Sequence, residues 1–236
     1  MKGLFDLGLN VIINDFKGWQ RKNYLFLFAM IVVQLVAFIF NPSSWITLVA
    51  GISGIVCVNL IAQGKAGNYL FGFISALIIG YFGFKTRVYA EVLLQSFYVI
   101  MDIAGLYTWL KVSEDGSGNV TEVKTLKGIQ WLYACVVWLG IGMVAYSVLG
   151  FVNDAQQMLD AITFSVSATA MLLMIKRYQS QFIFWLLGNL FSIVLWFRAG
   201  THAGGDYALF VMYCMYTVNS IFGMVHWLKI KKTIIN

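Results

Sequence analysis

The sequence predicts an all-α integral membrane protein with eight transmembrane helices. Three observations carry that prediction. Of 236 residues, 60% are hydrophobic and only 11% charged, whereas a soluble domain carries roughly 25% charged residues. The apolar residues gather into eight stretches of about the 17–25 residues that a crossing needs. The basic residues then sort by side: of the 16 Lys and Arg, Lys85, Arg87 and Arg198 lie on one side of the eight-crossing arrangement and the other thirteen on the opposite one. Under the positive-inside rule, both termini face the cytoplasm.

Residues 1–23 form a cytoplasmic amphipathic segment. Phe5, Leu9, Ile12, Phe16 and Trp19 recur at helical spacing, with Asp6, Asn10, Asn14, Lys17 and Arg21 on the other side. The pattern fits a helix lying in the membrane interface, and equally a helix docked on the protein's own cytoplasmic face. No signal peptide is expected, because over twenty residues with several charges precede the first crossing. An additional first transmembrane helix with its loop follows at 24–44, its apolar part at 24–40. Crossings at 45–62, 69–84 and 88–110 make one three-helix unit, 45–111. The polar stretch KVSEDGSGNVTEVKTLKG, 111–128, reads as a flexible linker, and with the crossing at 129–151 it makes the linker region 112–155. Crossings at 156–175, 181–198 and 207–228 make a second unit, 156–229, before a cytoplasmic tail at 230–236. The other connections are short, so neighbouring helices should be antiparallel partners.

The two units look like a repeat. Tyr89, Ala90, Tyr98, Ile103, Gly105, Trp109, Leu110 and Lys111 match Tyr207, Ala208, Tyr216, Ile221, Gly223, Trp227, Leu228 and Lys229 without a gap. Extended backwards with a two-residue slip, Gly72 falls on Gly188, Tyr69 on Trp185, and Ile46-Thr47 on Ile162-Thr163. A three-helix unit, one inverting helix and a second three-helix unit place the repeats in parallel. Parallel repeats related by an axis along the membrane normal are a transporter architecture, with the substrate between them.

Polar residues line up where such a substrate would sit. Trp185, Asn189, Ser192 and Trp196 occupy i, i+4, i+7 and i+11, one helical face. Glu91, Gln95, Tyr98 and Asp102 repeat that spacing, and their partners are Leu209, Tyr213, Tyr216 and Ser220, with Asn219 alongside. Amides, aromatic rings and a carboxylate at membrane depth are costly unless they face a cavity or each other. Such stripes fit a flat molecule with polar edges, and the competing reading is interhelical bonding alone.

Other functions find no support. Cys57, Cys135 and Cys214 lie in apolar segments as small core residues, and His202 and His226 have no metal-ligand spacing. No phosphate-binding glycine motif is present, so neither ATP nor a nucleotide cofactor is expected. No nucleophile or metal set can be assembled for an enzyme. The net charge of +6 sits in loops and is a topology signal, not a nucleic-acid surface. Gly51, Gly54, Gly80, Gly83, Gly140 and Gly142 should allow close helix packing. Pro42 is the only proline, so helix bending cannot rely on prolines.

The three-one-three plan is similar to that of two carrier groups, the SWEET and semiSWEET sugar carriers and the PnuC vitamin transporters. The SWEET-like repeats use prolines that this chain lacks. GKAGNYLFGFISAL (64–77), Trp185-x-x-x-Asn189, and the two Gly-x-x-x-Trp ends, Gly105 to Trp109 and Gly223 to Trp227, resemble PnuC. The resemblance spans about 45–229 and is carried by short motifs. It implies a carrier in the bacterial inner membrane for facilitated diffusion of a nucleoside-like vitamin precursor, chiefly nicotinamide riboside. Deoxynucleoside, thiamine and riboflavin are the alternatives within the family. It also implies a cytoplasmic kinase that traps the substrate by phosphorylation; a homo-oligomer is left open.

The resemblance carries over Trp185 and Asn189 directly. Trp196, Gln95, Tyr98, Asp102, Tyr213, Tyr216 and Asn219 rest on the facing argument. Trp185 and Trp196 would stack the ring, Asn189 and Gln95 would read its edge, and Asp102 with Tyr98 or Tyr216 would bind hydroxyls. Asp102 could instead carry a coupling proton. In the register above, Phe73 and Gly80 stand opposite Asn189 and Trp196, so the site is expected to be lopsided toward the second unit.

Overall fold

The computed structural model describes residues 11–40, 45–86, 88–112, 123–154, 156–201 and 207–235. Residues 1–10 of the amphipathic segment, 113–122 of the linker and the side chain of Trp196 lie outside the described residues. A short helix α1, residues 11–16, precedes eight long ones. These are α2 (Arg21–Phe40), α3 (Trp45–Gln63), α4 (Asn68–Thr86), α5 (Tyr89–Val112), α6 (Ile129–Phe151), α7 (Gln157–Ile175), α8 (Gln181–Thr201) and α9 (Tyr207–Ile235). Seven of them are long and apolar enough to cross a membrane, and α8 holds a shorter apolar stretch, Gln181–Val194. Among the described residues there is no strand, only an isolated bridge between Lys124 and Tyr178. The helices start and end where the apolar stretches do, with three exceptions. α2 starts earlier, α8 runs on to Thr201, and α9 runs on through Lys229, Lys231 and Lys232. A helix continues into the polar zone because its hydrogen bonds are internal, so apolarity marks the bilayer and not the helix end.

Six helices pack as a closed ring in the order α3, α4, α5, α7, α8, α9 and back to α3. α2 lies outside the ring against α3 and α9, and α6 lies outside against α7. α3 and α7 are consequently the most covered helices. Their buried positions are rich in small residues, such as Gly51, Ser53 and Gly54 on α3 and Ser165, Ser167, Ala168 and Ala170 on α7. Lipid tails are as apolar as leucine, so close backbone approach rather than hydrophobic burial holds such helices together. Five of the six glycines expected to serve this purpose do so. A Cβ on Gly51 would meet the Gln34 side chain at 2.9 Å, one on Gly80 would meet Gln95 at 3.2 Å, and Gly54 leaves room for the Tyr216 hydroxyl. Gly83 and Gly142 sit against Glu91 and Ser165. Gly140 faces open space, so the packing expectation fails there.

The α3–α4 and α7–α8 turns are built alike. α3 ends on Gly64 at φ 66° and α7 on Arg177 at φ 61°. The N–H of Gly64 donates to Ile61 O and that of Lys65 to Leu60 O, while Arg177 and Tyr178 donate to Met174 O and Leu173 O. This is a left-handed helix stop, built once with glycine and once against the steric cost of a side chain. Matching the two stops pairs residue 64 with 177, so Trp185 corresponds to Gly72 and Asn189 to Ala76. The two-residue slip, which set Trp185 on Tyr69 and Asn189 on Phe73, is therefore corrected.

Near these turns the ring is shut by aromatic side chains. The Tyr69 ring lies over Gly105, where a Cβ would overlap it, and meets Trp109 edge-on at 5.1 Å. Phe182 does the same over Gly223 and meets Trp227 edge-on at 5.4 Å. Each indole then bonds across the ring: Trp109 Nε1 donates to Ile175 O on α7 at 3.1 Å, and Trp227 Nε1 to Ile61 O on α3 at 3.0 Å. Each Gly-x-x-x-Trp pair thus has two jobs, a seat for an aromatic ring and a reach to the opposite unit.

Each turn also carries a cover. α1 docks on the first: the fully buried Asp15 accepts the Gly67 N–H at 2.5 Å, Val11 packs with Ala66 and Tyr69, and Phe16 packs near Phe71. Of the two placements open to the amphipathic segment, its described part takes the docked one. Residues 123–126 cover the second turn, with Lys124 N–H donating to Arg177 O at 2.9 Å and Gln179 N–H to Lys124 O at 2.8 Å. The end of the expected flexible linker is therefore pinned, because its backbone finds partners on the turn.

Candidate substrate-binding cavity

The ring surrounds a cavity whose empty volume, open part included, is about 920 Å³. All six ring helices line it. From α3 come Gly54, Cys57, Val58 and Ile61, and from α4 come Gly72, Ser75, Ala76 and Ile79. α5 contributes Leu94, Gln95, Tyr98 and Asp102; α7 contributes Ser167, Met171 and Met174. α8 presents Phe182, Trp185, Asn189 and Ser192, and α9 presents Met212, Tyr213, Tyr216, Asn219 and Ser220. The lining residues correspond between the halves. Gly54, Val58 and Ile61 pair with Ser167, Met171 and Met174, and Gly72, Ala76 and Ile79 with Trp185, Asn189 and Ser192, in the register of the helix stops. Leu94, Gln95, Tyr98 and Asp102 pair with Met212, Tyr213, Tyr216 and Ser220 in the Tyr-Gly-Trp register.

Of the nine residues singled out from the sequence, the cavity brings together Trp185, Asn189, Gln95, Tyr98, Asp102, Tyr213, Tyr216 and Asn219. The ninth, Trp196, has its side chain outside the described residues. Several of the polar groups are held by bonds to neighbours. Asn189 Nδ2 donates to Ser220 Oγ at 3.1 Å, and Ser220 Oγ donates to Tyr216 O at 2.9 Å. Asn219 Nδ2 donates to Val58 O at 2.6 Å, tying α9 to α3. Gln95 Nε2 donates to Glu91 Oε1 at 2.7 Å. Tyr98 is in hydrogen-bond reach of Ser167, and Tyr213 of Ser192. These bonds fix rotamers, so the faces shown to a ligand are set before it arrives.

Among the described residues, two fully buried polar atoms of lining residues lack a partner. They are Trp185 Nε1 and Asn219 Oδ1, a donor and an acceptor respectively. Buried orphans of this kind call for an explanation, and a ligand is one. Trp185 also stands against Tyr98, ring centroids 6.2 Å apart and tilted by 47°. The Tyr213 and Tyr216 rings meet nearly edge-on at 5.6 Å.

Sequence reading missed the contributions of α3 and α7. Cys57, Ser167, Met171 and Met174 are small or apolar and break no hydropathy pattern. Their only signal was the run of small residues in each helix. It also missed Ser75, whose hydroxyl donates to Ala50 O at 3.0 Å. Among the described residues no group of three or more His, Cys, Asp and Glu could hold a metal.

Comparison with known proteins places this geometry. The nicotinamide mononucleotide transporter family model matches residues 44–229. The chain is 34% identical over 222 residues to the nicotinamide riboside transporter PnuC of Neisseria mucosa, covering 92% of this chain and 84% of that one. It is 30% identical over 219 residues to the PnuC of Haemophilus influenzae, covering 91% and 93%. A crystal structure of the vitamin B3 transporter PnuC aligns over 97% of both chains, with a TM-score of 0.82 and 32% identity. The chain belongs to the PnuC family of multi-pass membrane transporters and is a transporter rather than an enzyme.

Proposed function

We propose that this protein carries nicotinamide riboside across the bacterial inner membrane by facilitated diffusion, binding it in the ring cavity. The observation that carries the substrate is the set of aromatic and amide side chains that line one cavity, Trp185, Tyr98, Gln95 and Asn189. A nicotinamide carboxamide offers one acceptor and one donor pair, and the amides of Gln95 and Asn189 can supply the complement. Trp185 and Tyr98 supply aromatic faces for the ring, with Trp196 a further candidate. Gln95, Asn189, Tyr213 and Tyr216 supply polar contacts around it. The relatives named as nicotinamide riboside transporters agree with this choice.

The mechanism follows from two three-helix repeats, α3–α5 and α7–α9, joined through α6. Support comes from the two reciprocal indole bonds, the paired helix stops and the matched cavity linings. A rocking motion of one repeat against the other would break Trp109–Ile175 and Trp227–Ile61 together and open the cavity on that side. Each bond contributes about 1 kcal/mol, so the barrier they add is small enough for turnover. By the distribution of basic residues, the tryptophan end and both termini face the cytoplasm. A cytoplasmic kinase would convert equilibration into net uptake.

Uptake of labelled nicotinamide riboside into proteoliposomes tests the reading. We expect internal and external concentrations to equalise, with no response to an imposed pH gradient. Accumulation driven by an inward proton gradient, lost in Asp102→Asn, would replace facilitated diffusion with proton coupling. No uptake at all would remove the substrate assignment.

A further inference from the structure

We infer that Asp102 is the counter-charge that a cationic substrate ring meets in this cavity, making it selective for flat heteroaromatic cations over neutral molecules of the same shape. The inference deepens the nicotinamide riboside reading and rests on it, since that ligand carries a permanent positive charge on its pyridinium ring.

Asp102 is 5% exposed and lines the cavity. No hydrogen bond or oppositely charged group among the described residues holds its carboxylate. The carboxylate packs directly against α4 because residue 72 is glycine: a Cβ there would meet Asp102 Oδ2 at 3.0 Å and Oδ1 at 3.1 Å. The other half shows what a filled version looks like. There Ser220 stands in place of Asp102, and Asn189, in place of Ala76, bonds it directly. The first half has neither the bulk nor the bond, and it keeps the one carboxylate that lines the cavity among the described residues. A membrane-depth carboxylate without a partner is costly and is retained where something else supplies the opposite charge.

The surroundings favour a cation throughout. Among the described residues no Lys, Arg or His lines the cavity. A second cavity shares Leu94, Ser192 and Tyr213 with it and is lined by Glu91 and Asp160. The Tyr98 and Trp185 rings add aromatic faces, which attract cations through their quadrupoles. A pyridinium in the cavity would meet the Asp102 carboxylate in a low-dielectric setting that strengthens the attraction. Tyr98 lies one helical turn before Asp102 on α5. A ring held by Trp185 and Tyr98 therefore lies on the Asp102 side of the cavity, and the carboxylate acts on the ring rather than on ribose.

The test compares nicotinamide riboside with its 1,4-dihydropyridine form, which keeps the carboxamide and the ribose but is neutral. Calorimetric titration of the full chain in detergent avoids optical overlap between ligand and tryptophan. We expect wild type to prefer the cation by about tenfold or more, and Asp102→Asn, which keeps size and shape, to bring the ratio close to one. A wild-type ratio near one overturns the inference without any variant and leaves the substrate reading intact. An Asp102→Asn protein that keeps the wild-type ratio also overturns it, because loss of a ribose contact weakens both ligands alike. Failure of both forms to bind wild type removes the nicotinamide riboside reading and this inference with it.

Discussion

The α3–α4 and α7–α8 units start from the same plan and diverge at both ends. Each stops its first helix on a left-handed residue, seats an aromatic ring on a glycine of the next helix, and receives an indole N–H from across the ring. Inside the cavity they differ completely. α4 presents Gly72, Ala76 and Ile79 where α8 presents Trp185, Asn189 and Ser192. At the outer face of each turn they differ again, one covered by α1 through a buried carboxylate and the other by residues 123–126 through backbone pairing. Elements that hold the ring together are duplicated. The cavity faces of α4 and α8 and the two covers are not. Packing is a demand both halves share, whereas an asymmetric ligand makes different demands on each.

Substitutions can break this contrast in order of expected size. The largest effect should come from making the halves alike in bulk. Gly72→Leu would fill the small side in front of Asp102, and nicotinamide riboside binding should fall below detection in calorimetry. Thermal unfolding would check that the variant is folded. A Gly72→Leu protein that folds and still binds would place the ligand elsewhere.

Next comes the cover of the first turn. Burial raises the Asp15 carboxyl from 3.8 to about 6, partly opposed by the Gly67 N–H and by nearby Lys65. Since the docked value lies above that of a solvated Asp, docked α1 holds the proton more tightly. Its stabilisation is full below pH 4 and is lost as pH rises through about 6. The difference between 3.8 and 6 corresponds to roughly 3 kcal/mol. Amide-exchange protection of residues 11–19, corrected for intrinsic rates, should therefore be greater at pH 4.5 than at pH 7.5. Asp15→Asn should flatten that dependence, and protection of 123–126 should show none of it. Protection of α1 that rises with pH would reverse the sign and contradict the argument.

The smallest effect probes what the halves share. Trp109→Phe and Trp227→Phe each remove one indole bond while keeping the ring, at a cost of about 1 kcal/mol. Melting of the detergent-solubilised variants should drop by similar amounts. A large inequality between the two would show that the reciprocal bonds are not equivalent.

How far the sequence could be read depended on which residues marked each feature. Apolar length located seven helices long and apolar enough to cross a membrane, because lipid exposure leaves no substitute for it, and α8 only as a shorter apolar stretch. The α5–α9 correspondence was legible from Tyr98, Gly105 and Trp109, residues that composition does not produce by chance at one offset. The α4–α8 correspondence was misread, since its true marker is a backbone conformation. Gly64 announces a left-handed stop, but Arg177 does not. The cavity was legible wherever polar side chains interrupt an apolar helix, as at Gln95, Asp102 and Asn189. It was invisible along α3 and α7, whose contribution is space and small hydroxyls. Asp15 gave no warning either, being one more polar residue on an amphipathic segment. Only the docking against Gly67 sets it apart.

Calorimetric titration of nicotinamide riboside into wild type and Trp185→Ala bears most directly on the central claim. We expect one ligand per wild-type chain and a loss of about 1–3 kcal/mol in the variant, the usual worth of an aromatic stacking partner. Unchanged affinity in a folded Trp185→Ala protein would contradict the placement of the ring in this cavity.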